Sequence, residues 1–240
     1  MEYFETNKEA WEHGFNNRKE GYGIVGDRIK EGLLSLEMQK AAIGHFCCNN
    51  GREISFAKSL PGVDRAVGFD IAENMISHAQ ETYKDCEFFA CNILDVPEKF
   101  NQAFDVIMIT VGALCWFENL QDFFGVVARC LKPGGRVFIH EIHPFENMLA
   151  MPGEDVDRHS YFKNDPWIQN NGMSYMTGGG ESKTFISFSH TFGSIVTAMA
   201  NNKIYITSLE EFDVAVSGMT GKYDNLGVPL SYTLIGRKMG

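Results

Sequence analysis

From residue 41 onward, short apolar runs alternate with stretches whose apolar residues recur at helical spacing, the pattern of an α/β sheet with parallel strands. The runs "AAIGHFC", "DRAVGFD", "CEFFAC", "FDVIMIT" and "RVFIHEI" predict five strands. "FDVIMIT" is apolar on both faces, as a strand covered from both sides should be. Between the strands, "REISFAKSL" and "ENMISHAQETY" read as helices, and Leu120, Phe123, Phe124, Val127 and Leu131 mark a third that Lys-Pro-Gly-Gly ends. Residues 144–189 break the pattern: they are rich in Gly, Asn, Asp and aromatics, and too long for an ordinary connection, so they predict a cap. A helix near "HTFGSIVTAMAN" follows, then two strands, "KIYITSLEEF" and "PLSYTLIGRK". With no helical pattern between them, these two should form an antiparallel hairpin. Ahead of the sheet, "IVGDRIKEGLLSLEMQ" predicts a leading helix behind a mobile N-terminus.

The resulting division is a lid segment and leading helix over 1–40, a Rossmann-like core over 41–143, a cap over 144–189, and a helix with a hairpin over 190–240 that completes the core. The fold class is α/β, a seven-stranded and mostly parallel sheet.

Composition narrows the partners. A formal charge of −10 in 240 residues disfavours a protein that works by neutralising phosphates, so neither nucleic acid nor an anionic membrane is an expected partner. No run approaches the roughly 18 apolar residues of a membrane span, and the first residues lack the basic start and apolar run of a signal peptide, so a cytoplasmic location is expected. The six cysteines show no C-x-x-C pair and read as buried reduced thiols rather than zinc ligands. His140 and His143 flank Glu141, but neighbours on a strand point to opposite faces, so no metal site is expected there.

The element order, with "HFCCNNGREI" after the first strand, "VGFDIAENMI" after the second, "CNILDVP" after the third and "TVGALCWFENL" after the fourth, resembles the class I S-adenosylmethionine-dependent methyltransferases. In that family the first strand ends in E/D-x-G-x-G-x-G, positions held here by His45, Cys47, Asn49 and Gly51. Asn accepts left-handed conformations and Cys is small, so "CCNNG" can stand in for the glycine loop. A dinucleotide loop would need glycine at Cys47, Asn49 and Arg52, which argues against NAD.

The resemblance implies S-adenosylmethionine as cofactor and S-adenosylhomocysteine as product. It carries cofactor contact over to Cys47, Cys48, Asn49 and Gly51 in the loop, Asp70 at the ribose, and Ile71 and Met75 around the adenine. Asn92 would meet the adenine amino group with Ile93 supplying a backbone amide, and Thr110, Val111 and Gly112 would lie near the sulfonium. Asp70 could instead cap the following helix, and Asn92 could be an ordinary turn residue.

On the acceptor side His190, Tyr161 and His143 are the candidate catalytic residues, and Trp11, Tyr22, Trp116 and Tyr175 are candidate lid or substrate residues; His190 could equally cap or pack the helix it precedes, and Trp116 could equally be a core aromatic. The implied activity is methyl transfer to a small-molecule acceptor by in-line displacement, in a monomer or homodimer. The alternative is a methyltransferase-like domain that binds a nucleotide without catalysis, a reading the altered loop motivates.

Overall fold

The computed structural model describes residues 2–17, 26–149, 158–170, 181–216 and 220–240. Two helices, α1 (Glu2–Asn17) and α2 (Asp27–Leu34), precede the sheet. Strands β1 (Ala41–Phe46), β2 (Val63–Asp70), β3 (Glu87–Ala90), β4 (Phe104–Thr110) and β5 (Leu131–Ile142) pair in parallel, linked by α3 (Arg52–Lys58), α4 (Glu73–Thr82) and α5 (Leu120–Cys130). Short strands β6 (Trp167–Gln169) and β7 (Phe185–Ser187) form a separate antiparallel pair. Helix α6 (Phe192–Asn201) and strands β8 (Ile204–Phe212) and β9 (Ser231–Lys238) close the chain.

The seven-stranded sheet runs β3-β2-β1-β4-β5-β9-β8. The expected hairpin is present, and β9 sits inside the sheet, antiparallel to both β5 and β8. The order reverses between β1 and β4, and ligands of open α/β sheets collect outside the strand ends at such a switch point.

Alternation along the strands makes two cores. Ile107, Ile109, Val137 and Ile139 face Phe123, Phe124 and Val127 of α5 and Ile195 and Met199 of α6. Ile43, Val106, Met108 and Phe138 face Ile29 and Leu33 of α2 and Ile54 and Ala57 of α3. Among the described residues no helix is long and apolar enough to cross a membrane, and all six cysteines are free thiols.

Three expectations change. The N-terminal segment expected to be mobile is helical over residues 2–17, burying Ala10 and Phe15 against Met75 of α4 and Phe185 of β7. Asn7 occupies a core-facing position and bonds the main chain of Ile186 in both directions at 2.8 Å, so its polar letter hides the helical stripe. The leading helix is shorter than its pattern, ending at Leu34, although Leu36 is still buried. Lys-Pro-Gly-Gly does follow α5, but Leu131 already pairs with Phe104, so β5 begins before the turn and passes through it at Gly134, whose φ is 76°.

Candidate active site

The loop after β1 has alternating left-handed residues: φ is 58° at Cys47, 53° at Asn49 and 81° at Gly51. Those are the three positions at which the resembling family places glycine. At Gly51 a Cβ would lie 2.6 Å from the Phe88 ring and 2.9 Å from Ala79, so glycine is required there for space as well as for φ. Cys48 is accommodated by a deletion elsewhere, since a Cβ on Gly68 of β2 would come within 2.7 Å of the Cys48 sulfur. Burial raises both thiols at Cys47 and Cys48, so they stay protonated.

Asp70 clasps this loop. Its Oδ2 accepts from the Asn49 N–H at 2.8 Å and its Oδ1 accepts from the Ala72 N–H at 3.0 Å. The residue at the N-cap of α4 is Ala72, so Asp70 stands just outside the helix while bonding into its start. Burial pushes its carboxyl upward, and the main-chain donors of Ala72, Asn49 and Ile71 work against that. Met75 is buried below, beside Ala72. Asn92 turns its Oδ1 to the Leu94 N–H at 3.0 Å, so the turn role is filled, and the second lone pair of that oxygen remains for a ligand donor. Ile93 is buried in the core.

Two carboxylates that sequence reasoning did not place complete the edge. Glu141 of β5 is buried and accepts from the Gly112 N–H at 2.5 Å, the Ile142 N–H at 2.8 Å and the Leu114 N–H at 3.0 Å, holding the turn that follows Thr110 and Val111. Gly112 has φ 82° and open space where a Cβ would stand. Glu53 of α3 accepts from the Thr110 hydroxyl, which lies 2.8 Å from Nε2 of His45. Burial pushes the Glu53 carboxyl up to about 7 and His45 down to about 3. An acid within an apolar strand such as "FIHEIHP" was the available signal for Glu141. Glu53 had none beyond its place in the first turn of a helix.

By sequence profile, residues 43–135 match a family described as a methyltransferase domain. Over that stretch, from β1 to the turn within β5, the chain resembles a methyltransferase domain. Among solved structures, an S-adenosylmethionine-dependent methyltransferase from Mesorhizobium loti superposes with a TM-score of 0.66 at 19% identity, covering 90% of this chain and 100% of its own. A SAM-dependent methyltransferase from Methanosarcina mazei gives 0.62 at 16%, covering 86% of this chain and 97% of its own. A geranyl diphosphate C-methyltransferase from Streptomyces coelicolor A3(2), crystallised with Mg2+, geranyl diphosphate and S-adenosylhomocysteine, gives 0.62 at 13%, covering 89% and 79%. Among curated proteins none matches by sequence.

The matched stretch and the strand end beside it have residues that suit S-adenosylmethionine. The open space at Gly112 leaves main chain bare for a close approach, and Asp70, Glu53 and Glu141 bring acids to the edge where a sulfonium-bearing ligand needs counter-charge. Nδ1 of His45 is buried with no hydrogen-bond partner among the described residues.

The acceptor-side candidates mostly lie outside the matched stretch and are engaged with their surroundings. His190 donates from Nε2 to the Phe117 carbonyl at 2.8 Å and faces a cleft beside Glu118, Gln121 and Ser194, at the first turns of α5 and α6. The Tyr161 hydroxyl accepts from the Phe192 N–H at 2.8 Å, so it caps α6. His143 accepts at Nδ1 from the Phe145 N–H and therefore donates from Nε2 to Glu211 at 2.9 Å, which uses both ring nitrogens. Trp11 meets Trp116 edge-on at 5.5 Å, and Trp116 meets Phe185 at 5.3 Å, joining α1, the turn after β4 and β7 into one aromatic wall. Tyr22 and Tyr175 lie outside the described residues. His140, weighed from sequence only as a metal ligand, is buried with both nitrogens unbonded among the described residues and is pushed down to about 4 by burial and by Arg28.

Proposed function

We propose that the protein transfers the methyl group of S-adenosylmethionine to a small, partly apolar acceptor at the C-terminal edge of the sheet. The observation that carries this reading is the loop of three left-handed residues, Cys47, Asn49 and Gly51, clasped by Asp70 within the matched domain. The sulfonium supplies an activated methyl carbon, so the protein's task is to align the acceptor and exclude water. In this reading Asp70 accepts from the ribose hydroxyls, Asn92 accepts from the adenine amino group, Ile93 offers its main-chain N–H, and Ile71 and Met75 line the base. Cys47, Cys48, Thr110, Val111 and Gly112 line the path of the sulfur.

The Trp11, Trp116 and Phe185 wall supports an acceptor with apolar surface, since such walls with a few polar tips make up small-molecule sites. His190, beside the cleft at the first turns of α5 and α6, is the acceptor-side histidine of the proposal. Isothermal calorimetry tests the cofactor: S-adenosylmethionine and S-adenosylhomocysteine should bind and NAD should not. A flat titration with both sulfur nucleosides would end the reading.

The engagement of His143, Tyr161 and His190 with main chain or Glu211 favours one second reading, a domain that binds the nucleoside without catalysis. Isotope transfer from methyl-labelled cofactor to a panel of small acceptors separates the two.

A further inference from the structure

The strand-end acid of the resembling family is His45 here, and the fold returns a carboxylate to that place from a different element. His45 and Thr110 lie on one face of the sheet, continuing the rows of Ile43 and Met108, and Glu53 reaches them from the first turn of α3. Glu53 Oε2 is 3.6 Å from His45 Nε2. One arrangement of protons satisfies an ionised cluster: the Thr110 hydroxyl donates to Glu53, so it must accept from Nε2–H of His45, and Nδ1 is left bare. Thr110 is the hydrogen-bond partner of Glu53 among the described residues, which leaves acceptor capacity on a buried carboxylate. The charged neighbours of that carboxylate are Arg52, at the start of the same helix, and Glu141, across the edge on β5. A buried acid with spare lone pairs suits a cation with N–H donors.

Resting on the cofactor reading above, we propose that Glu53 replaces the missing strand-end acid and receives the ammonium group of the cofactor's amino-acid tail, with Thr110 orienting its carboxylate. Asp70 and Asn92 sit on the β2 and β3 side of the switch point, whereas Glu53 and Thr110 sit at the β1 and β4 junction. The nucleoside and the amino acid therefore have separate anchors.

Titration of the intact protein with two ligands tests this. S-adenosylhomocysteine carries the amino-acid tail, and 5′-methylthioadenosine has the same nucleoside and a sulfur without it. Glu53→Gln should weaken S-adenosylhomocysteine by about 10- to 100-fold, the range for a hydrogen bond to a charged group. It should leave methylthioadenosine within about twofold, which also certifies that the variant is folded. Returning the acid to the strand in the double variant His45→Asp, Glu53→Gln should recover much of the loss. Equal weakening of both ligands, or unchanged affinity for S-adenosylhomocysteine, overturns the proposal. If Glu53→Gln fails to fold, the double variant decides: tail-dependent affinity near wild type supports the relocated acid, and its absence overturns it. If wild type binds neither ligand, the cofactor reading itself has failed, and this inference falls with it.

Discussion

The main-chain N–H of Asn49 points 2.8 Å to the Asp70 carboxylate, fastening the loop after β1 to the end of β2. A residue assigned to ligand binding is thus also a structural clasp. Asp70→Ala should cost about 1.5–3 kcal/mol of nucleoside affinity and, by leaving the Asn49 and Ala72 N–H groups unpaired, also lower stability. Calorimetry and thermal melting check the two losses separately. A lower melting temperature at unchanged affinity would reduce Asp70 to the clasp alone.

The loop letters should respond in opposite directions to substitution. Cys47 holds a left-handed conformation that disfavours a side chain by about 1–2 kcal/mol, so Cys47→Gly should be neutral to stabilising in urea titration. Gly51→Ala meets the same φ penalty together with the Phe88 ring, and should destabilise by more than about 2 kcal/mol. Comparable effects at the two sites would contradict the loop geometry.

Glu141 has three main-chain donors on one buried carboxylate, and Glu141→Ala leaves them all unpaired. A loss of roughly 3 kcal/mol or more is expected from denaturant midpoints. Because these donors shape the turn at Gly112, amide exchange there should accelerate as well. Protection unchanged at Gly112 would show that the turn holds itself.

Acid should destabilise the fold through its buried histidines. His45, pushed down to about 3, and His140, pushed down to about 4, are neutral when folded and bind protons more readily when unfolded. Between their folded values and about 6.5 the unfolded chain therefore carries more protons, and stability falls as pH falls. Glu53, raised to about 7, acts oppositely between about 4.5 and 7, since its folded form holds the proton longer. His140→Gln should flatten the acid limb of a stability-against-pH curve measured from pH 7 to 4. An unchanged limb would mean that His140 finds a partner in solution.

Much of this protein is local and therefore legible in sequence. "FDVIMIT" has to be a doubly covered strand, because its apolar side chains leave no face for water, and the spacing of Leu120, Phe123, Phe124 and Val127 admits only a helix with one buried side. The loop is legible too, because Asn49 and Gly51 are letters that accept positive φ, even where Cys47 does not advertise it.

Other features depend on residues far apart in the chain. That β9 inserts between β5 and β8 follows from which strand edges were left open, and alternation within "SYTLIGRK" carries no information about neighbours. Helix α1 escaped notice because its core-facing Asn7 is satisfied by the main chain of Ile186, which no local pattern reveals. The same holds for Glu53: in sequence it is one acid among many in a first helical turn. Only the packing of α3 against β1 and β2 removes it from water, raises its proton affinity and sets it on Thr110 at the end of β4.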